Sequence, residues 1–237
     1  MRVRIGTSGY SYKEWKGRFY PEKLPTTKML AFYASRFDTV EINATFYRMP
    51  QPGVLGGWAR DLGAQVDFAF AFKAPVYLGL LGRGEAGLSA PAAQFFERTR
   101  EVGDKLGPIY VQLPPTAKKD VAGLQALLGL VPANVRLAVE PGTEGWLSDD
   151  VLELLRRHGV ALVASDDEKR PTPLVRTADF GYVRLRRTRY TKRELERQVA
   201  ALFAQGWRDA WVFFKHEDRA TGPRLATTFQ RVVAARV

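Results

Sequence analysis

Cysteine is absent from the 237 residues, which excludes disulfides and thiolate metal sites. Histidine is nearly absent: only His158 and His216 occur, too few for a zinc centre built on several imidazoles. No stretch approaches the roughly 20 apolar residues that a membrane-spanning helix needs. The opening MRVRIGTSGY meets glycine too early to supply the apolar core of a secretory signal. A soluble, cytoplasmic protein is expected. The early IGTSGY lacks the G-x-G-x-x-G spacing of a dinucleotide-binding turn. Internal repeats, low-complexity tracts and Gly/Ser linkers are also missing, so residues 1–237 are expected to form one domain.

Positive charge, by contrast, is abundant. Lys and Arg number 36 against 25 Asp and Glu, a formal net charge of +11, and the pI is about 10.0. Such a balance favours an anionic small molecule or nucleic acid as partner. The densest basic segment is RLRRTRYTKR, Arg184–Arg193, and it is the best single candidate for an anion contact, with a solvated helix entry as the alternative.

Short β-rich runs alternate with amphipathic segments along almost the whole chain. The strands are expected at Val3–Ser8, Thr39–Ala44, Asp67–Ala74, Pro108–Leu113, Arg136–Glu140, Ala161–Asp166, Gly181–Arg186 and Ala210–His216. Apolar residues at three-to-four spacing predict helices over Lys28–Arg36, Pro91–Leu106, Val121–Leu130, Asp149–His158, Lys192–Gln205 and Thr221–Ala235, with a weaker one at Val54–Leu62. Between Asp167 and Asp179 the connection reads as irregular, because Pro171 and Pro173 interrupt any helix. Eight strands joined mostly by helices imply a parallel sheet, and eight is the number that closes a (β/α)8 TIM-type barrel of about 250 residues.

In such a barrel, chemistry sits where the strands end. Those ends carry Thr7, Ser8 and Tyr10, then Glu41, Asn43 and Tyr47, then Lys73, Gln112 and Glu140. Ser165, Asp166 and Asp167 follow, then Arg184 and Arg186, and last Lys215, His216 and Glu217. The strand beginnings read as far less polar inside. Period-two alternation puts Glu41, Asn43 and Thr45 on one face of their strand, where they would enter a wet concave mouth. The structural alternative is that Glu41 pairs with Arg184 or Lys73 within the barrel. Glu140 ends a clean strand before Pro141–Gly142, a position suited to a general base, a metal ligand or a hydroxyl acceptor. His216 is a further catalytic candidate, whereas His158 sits at a helix end where an imidazolium suits the dipole. No cofactor is required, but an oxygen-rich Mg²⁺ or Mn²⁺ site from Glu41, Glu140 and Asp166 is possible in principle. Lys73, Arg184, Arg186 and Lys215 suit phosphate. Tyr10, Tyr47 and Trp146 are aromatics that could stack a base or sugar beside them.

The segments IGTSGYSYKEWKGRFYP, FDTVEINATFYRMP, FAFKAP, LGPIYVQLPP and VEPGTEGW stand in an order and spacing that resembles the YecE-like family, domain of unknown function 72. The resemblance spans nearly the whole chain and implies a TIM-barrel fold without supplying a reaction. Its motif residues are Gly6, Ser8, Gly9, Trp15, Tyr20, Pro21, Glu41, Asn43, Phe46, Tyr47, Lys73, Gln112, Pro114, Glu140 and Trp146. The chain departs from the family pattern in two regions. Pro141–Gly142 stands where an arginine commonly follows the fifth-strand glutamate. Arg186–Arg187 and Lys215–His216 replace a His-Gly pair and paired asparagines.

Three functions are expected to compete. The first is hydrolysis of a phosphodiester or other phosphorylated substrate, with Glu140 as base, Glu41 and Asn43 orienting substrate or metal, and the basic residues holding the anion. The second is a non-catalytic nucleic-acid or nucleotide-binding module. Glycoside hydrolysis by Glu41 and Glu140 is the third, and it requires carboxylates about 5–9 Å apart.

Overall fold

The eight β-rich runs become eight parallel strands in this computed structural model, which describes residues 1–63, 66–216 and 218–236. They are β1 (Arg2–Thr7), β2 (Thr39–Ile42), β3 (Ala69–Lys73), β4 (Leu106–Gln112), β5 (Leu137–Glu140), β6 (Ala161–Ser165), β7 (Phe180–Leu185) and β8 (Asp209–Phe214). Hydrogen-bonded neighbours run β1-β8-β7-β6-β5-β4-β3-β2. The helices are α1 (Met29–Ala34), α2 (Ala44–Tyr47), α3 (Val54–Leu62), α4 (Gly84–Thr99), α5 (Val121–Gly129), α6 (Asp149–Arg157), α7 (Lys192–Ala204) and α8 (Thr221–Ala234). This is the expected eight-stranded α/β barrel, nearly closed. As expected, no helix joins β6 to β7. That connection is pinned instead by a Ser165–Thr172 bridge and by Thr177, whose hydroxyl accepts from Leu162 N–H and donates to Val160 C=O. Among the described residues, no helix is long and apolar enough to cross a membrane.

Closure between β1 and β2 needs a device, because the two strands meet in a single bridge, Ser8 to Glu41. Two side chains fill the rest of the seam. Asp38 accepts the Ile5 N–H at 2.9 Å. The Tyr33 hydroxyl accepts the Thr7 N–H at 2.8 Å and donates to the Thr39 carbonyl at 3.0 Å. Gly6 lets the strands approach this closely, since a Cβ there would lie 2.0 Å from the Thr39 carbonyl oxygen.

Two apolar layers follow from strand alternation. One packs helices onto the outside of the barrel. The other fills its interior with small residues from β3, β5 and β6 (Ala71, Ala138, Ala161) facing aromatics from β4, β7 and β8 (Tyr110, Tyr182, Phe213).

Three local expectations are corrected. The second strand stops at Ile42, and α2 begins at Ala44, so Glu41, Asn43 and Thr45 do not share a strand face. Thr45 turns back to donate to the Lys73 and Ile42 carbonyls, bonds that favour the helical turn over continued strand. The fourth helix begins at Gly84 rather than Pro91, and the proline lies inside it. Leu88 is buried with Ala92, Phe95 and Phe96, so the apolar stripe runs through the proline and its burial outweighs the lost backbone bond. The strand beginnings are more polar than expected. Arg4 lies over the interior Trp211 ring and bonds Asp67, while Arg136 lies over Phe180 and bonds Asp209.

Candidate active site at the barrel mouth

Inward-facing residues at the ends of β1, β2, β3, β4, β5 and β7 form one polar cluster. Glu41, from β2, is fully buried. Its carboxylate takes a two-point contact from Arg184 of β7, Nη2 to Oε1 at 3.0 Å and Nε to Oε2 at 3.1 Å. Ser8 donates to Oε1 and Tyr182 to Oε2, each at 2.8 Å. Burial pushes the Glu41 carboxyl up, but the charge and hydrogen bonds of Arg184, with those of Tyr182 and Ser8, hold it below the usual carboxylate range. The pairing of Glu41 with Arg184, expected as its structural alternative, is therefore present.

Arg184 also reaches the other side of the mouth. Its Nη1 donates to Tyr110 Oη at 2.9 Å and lies 3.3 Å from both Glu140 oxygens, and its guanidinium stands 4.7 Å from the Tyr110 ring centre. Glu140, from β5, accepts from Tyr110 and, at 2.6 Å, from Gln112 Nε2. Both bonds fall on Oε2. Among the described residues, Oε1 meets only guanidinium groups, Arg184 at 3.3 Å and Arg186 at 3.8 Å. The turn beyond Glu140 is held tight, because a Cβ on Gly142 would lie 1.9 Å from the Pro114 carbonyl oxygen.

Lys73 completes this side from β3. Its ammonium donates to Gln112 Oε1 at 2.8 Å and stands 3.8 Å above the Phe46 ring. Burial and the neighbouring Arg184 charge outweigh the attraction of Glu41 and Glu140 and lower Lys73 to about 8. Lys73 and Glu140 are thus linked through one amide, Lys73 Nζ to Gln112 to Glu140 Oε2. Such a pair offers a proton donor and a proton acceptor on adjacent strands.

The rest of the rim is fastened to itself. Asp166 accepts the Arg186 N–H at 2.6 Å, the Tyr190 hydroxyl, and Arg187 Nε at 3.4 Å. Arg186 pairs with Asp167 at 3.4 Å, and Arg187 with Glu194 at 3.1 Å. The basic Arg184–Arg193 segment is therefore largely neutralised where it crosses the mouth. His216 contacts the Arg186 carbonyl through Nε2 and holds a backbone φ of 110°, a left-handed value that only local bonding sustains in a residue other than glycine. Lys215 is half-buried beside it, its N–H bonded to Leu185. Glu217 lies outside the described residues.

Several expected site residues stand apart from this cluster. Trp146 is buried beneath the neighbouring loops and donates to the Ala117 carbonyl at 3.3 Å. Tyr10 packs on Tyr33 and Trp58, and burial raises its hydroxyl to about 12. Tyr47 is 84% exposed and touches the cluster only through Phe46, edge-on at 5.1 Å. Asn43 begins α2 and turns its amide back toward the Glu41 carbonyl at 3.5 Å. Two members were missed: Tyr110 and Tyr182, stacked at 5.6 Å. Each stands two residues before an expected member, Gln112 or Arg184, so strict alternation would have found both. Among the described residues no three His, Asp or Glu side chains converge as metal ligands. Glu41, Glu140 and Asp166 spend their oxygens on guanidinium, hydroxyl and amide donors instead, a donor set that does not fit Mg²⁺ or Mn²⁺.

Comparison with known proteins adds a family. The model of the protein family of unknown function DUF72 matches residues 4–237. The UPF0759 protein YecE of Escherichia coli K12 is 28% identical over 142 residues, covering 58% of this chain and 47% of that protein. The chain thus matches about half the length of this curated relative. A DUF72 family protein from Thermotoga maritima superposes with a TM-score of 0.83 at 24% identity, covering 99% of this chain and 100% of the other. One from Enterococcus faecalis reaches 0.79 at 19% identity, covering 98% and 95%.

Proposed function

The chain belongs to the DUF72 family of proteins of unknown function, and we propose that in this member the barrel mouth hydrolyses a phosphodiester. One observation carries the reading: Lys73, a desolvated ammonium without a carboxylate partner among the described residues, is joined through Gln112 to Glu140. A cation in that state seeks an anion, and the carboxylate beside it has one oxygen free of neutral hydrogen-bond donors.

In the proposed step, Arg186 and Lys73 hold the non-bridging phosphate oxygens. Glu140 Oε1 takes a proton from water as the water oxygen bonds to phosphorus. The bond from phosphorus to the leaving oxygen breaks, and the Lys73 ammonium supplies the proton that oxygen needs. Negative charge on the phosphoryl oxygens is met by fixed guanidinium cations rather than mobile solvent. Glu41 is a positioning residue, since all its contacts go to Ser8, Tyr182 and Arg184. Arg184 bonds both glutamates and so occupies the space that a sugar would need between them, which disfavours glycoside hydrolysis. We place the reaction in the cytoplasm, where phosphodiester polymers reside.

The test is a gel assay on labelled single- and double-stranded oligonucleotides with the wild type and Glu140→Gln. Cleavage that disappears in the variant, with far-UV circular dichroism unchanged, is the expected result. Cleavage that persists removes Glu140 as the base. Salt-sensitive binding with no cleavage by either protein replaces the hydrolase with a binding module.

A further inference from the structure

The chain's positive excess does not sit at the mouth, where Arg184, Arg186 and Arg187 each meet carboxylates. Part of it lies on the barrel flank. A groove of about 410 Å³ runs between the β1–α1 loop and α8, lined by Arg18, Arg219, Arg224 and Arg231, with Phe19 and Thr228 among its walls. All four arginines are exposed. Among the described residues, none has an ion-pair partner and no acidic side chain lines the groove. A second cavity adjoins it, sharing Thr228 and Arg231 and adding Lys192 and Arg236. Its one acidic residue, Glu196, is taken up by Lys192 at 3.7 Å. Four like charges converging on one groove repel one another. That arrangement costs stability unless an anion fills the space.

Position gives the groove its meaning. Arg18 follows β1 and Arg219 follows β8, so the groove opens at the strand ends beside Lys215 and His216 and descends along α8. Arg224 and Arg231 stand two helical turns apart, a rise of about 10 Å. That length spans about three phosphates of one strand at the ~3.4 Å axial spacing of a nucleic-acid duplex. Arginine forks match phosphate oxygens two at a time.

We propose that this groove is a second binding site, for the phosphate backbone of a polynucleotide whose scissile bond lies at the mouth. The inference rests on the phosphodiester reading of the mouth and deepens it: the substrate is a polymer, not a small phosphorylated metabolite.

The experiment combines Arg18→Gln, Arg224→Gln and Arg231→Gln in one variant and compares it with a charge-matched control, Arg60→Gln with Arg157→Gln and Arg176→Gln. All six positions are exposed, so both variants are expected to fold. Fluorescence anisotropy follows a labelled oligonucleotide of about 20 residues, longer than the roughly 4–16-nucleotide footprint of common single-strand sites, in single- and double-stranded form. A dinucleotide and polyglutamate serve as comparison ligands. The groove variant is expected to bind the long oligonucleotide at least about tenfold more weakly, and to lower the slope of log affinity against log salt by about 2, at ~0.7 per phosphate contact. The control keeps the wild-type slope, and dinucleotide turnover is the same in all three proteins.

Equal weakening in both variants, or wild-type binding by the groove variant, overturns the proposal. So does a wild type that does not bind the long oligonucleotide. Polyglutamate showing the same dependence on the groove arginines overturns it in favour of an acidic peptide. Groove-dependent binding without cleavage leaves the groove standing while the hydrolase reading falls. Cleavage with the same length dependence in wild type and variant does the reverse.

Discussion

Replacing Arg184 with glutamine should reverse the sign of the protein's acid response. In the wild type, one guanidinium compensates two carboxylates, and both glutamates are buried. Removing one partner of a buried ion pair typically costs about 3–5 kcal/mol, because the remaining charge is left desolvated and uncompensated. Here the loss at neutral pH should lie near the middle of that range, about 4 kcal/mol. For a chain of this size it should lower the melting temperature by about 10–15 °C.

The direction of the pH dependence follows from Glu41. In the wild type its carboxyl lies below the ordinary value of 4.5. The unfolded chain therefore binds the proton more readily, and the stability Glu41 contributes is lost as pH falls through its folded value. In Arg184→Gln the burial penalty remains, but the guanidinium that offset it has gone. Glu41 should then titrate above 4.5, with the folded state binding the proton more readily, so stability rises as pH falls toward that value. The slope approaches about 1.4 kcal/mol per pH unit for each proton. Urea melts followed by circular dichroism between pH 7 and 5 should show the gap between variant and wild type narrowing. If Arg184→Gln does not fold at pH 7, the double variant with Glu41→Gln should be the more stable of the two. A gap that stays constant, a loss below about 1 kcal/mol, or a double variant no better than the single would refute this account of the mouth.

Lys73, lowered to about 8, must be protonated to donate to the leaving oxygen, so turnover of an oligonucleotide should fall as pH rises above about 8. Lys73→Met should abolish turnover. The same substitution should stabilise the fold at pH 7 by about 1 kcal/mol, after discounting for the part of the side chain that solvent screens. That gain should vanish as pH rises from about 8 toward 10.5, where the wild-type amine also becomes neutral in both states. Tyr33→Phe should cost about 2–3 kcal/mol, because it strands the buried Thr7 N–H and Thr39 carbonyl at the β1–β2 seam. Hydrogen exchange at the Thr7 amide should accelerate in that variant, and unchanged protection would contradict the seam described above.

The fold was legible because strand alternation and helical spacing leave separate periodicities in the chain, and all eight strands lie within two residues of where those periodicities put them. The inward residues at the strand ends were legible for the same reason. Ser8, Glu41, Lys73, Gln112, Glu140 and Arg184 converge as their positions imply. Tyr110 and Tyr182 were overlooked because, within PIYVQL and GYVRL, a tyrosine reads as hydrophobic core. Its hydroxyl acts only once the neighbouring strands set a carboxylate beside it. The end of β2 at Ile42 was hidden for a related reason. Thr45 favours strand by intrinsic propensity, and its choice of helix depends on a carbonyl 28 residues away in sequence, that of Lys73.

Charge was the least legible quantity of all. A count of +11 says nothing about which cations face carboxylates. In the most basic segment of the sequence, Arg184, Arg186 and Arg187 prove to be neutralised by Glu41, Glu140, Asp166, Asp167 and Glu194. The arginines of the flank groove come instead from three separate stretches around Arg18, Arg219 and the length of α8. A guanidinium held against a buried carboxylate projects little field into solvent, whereas exposed, unpaired arginines attract counter-ions that a bound polyanion would displace. Substitutions at Glu140 should therefore alter turnover and leave the salt dependence of binding nearly untouched. Substitutions in the flank groove should alter the salt dependence and leave the chemical step intact. If a single set of residues governed both quantities, the division of labour between mouth and flank would be wrong, however well either site explained its own assay.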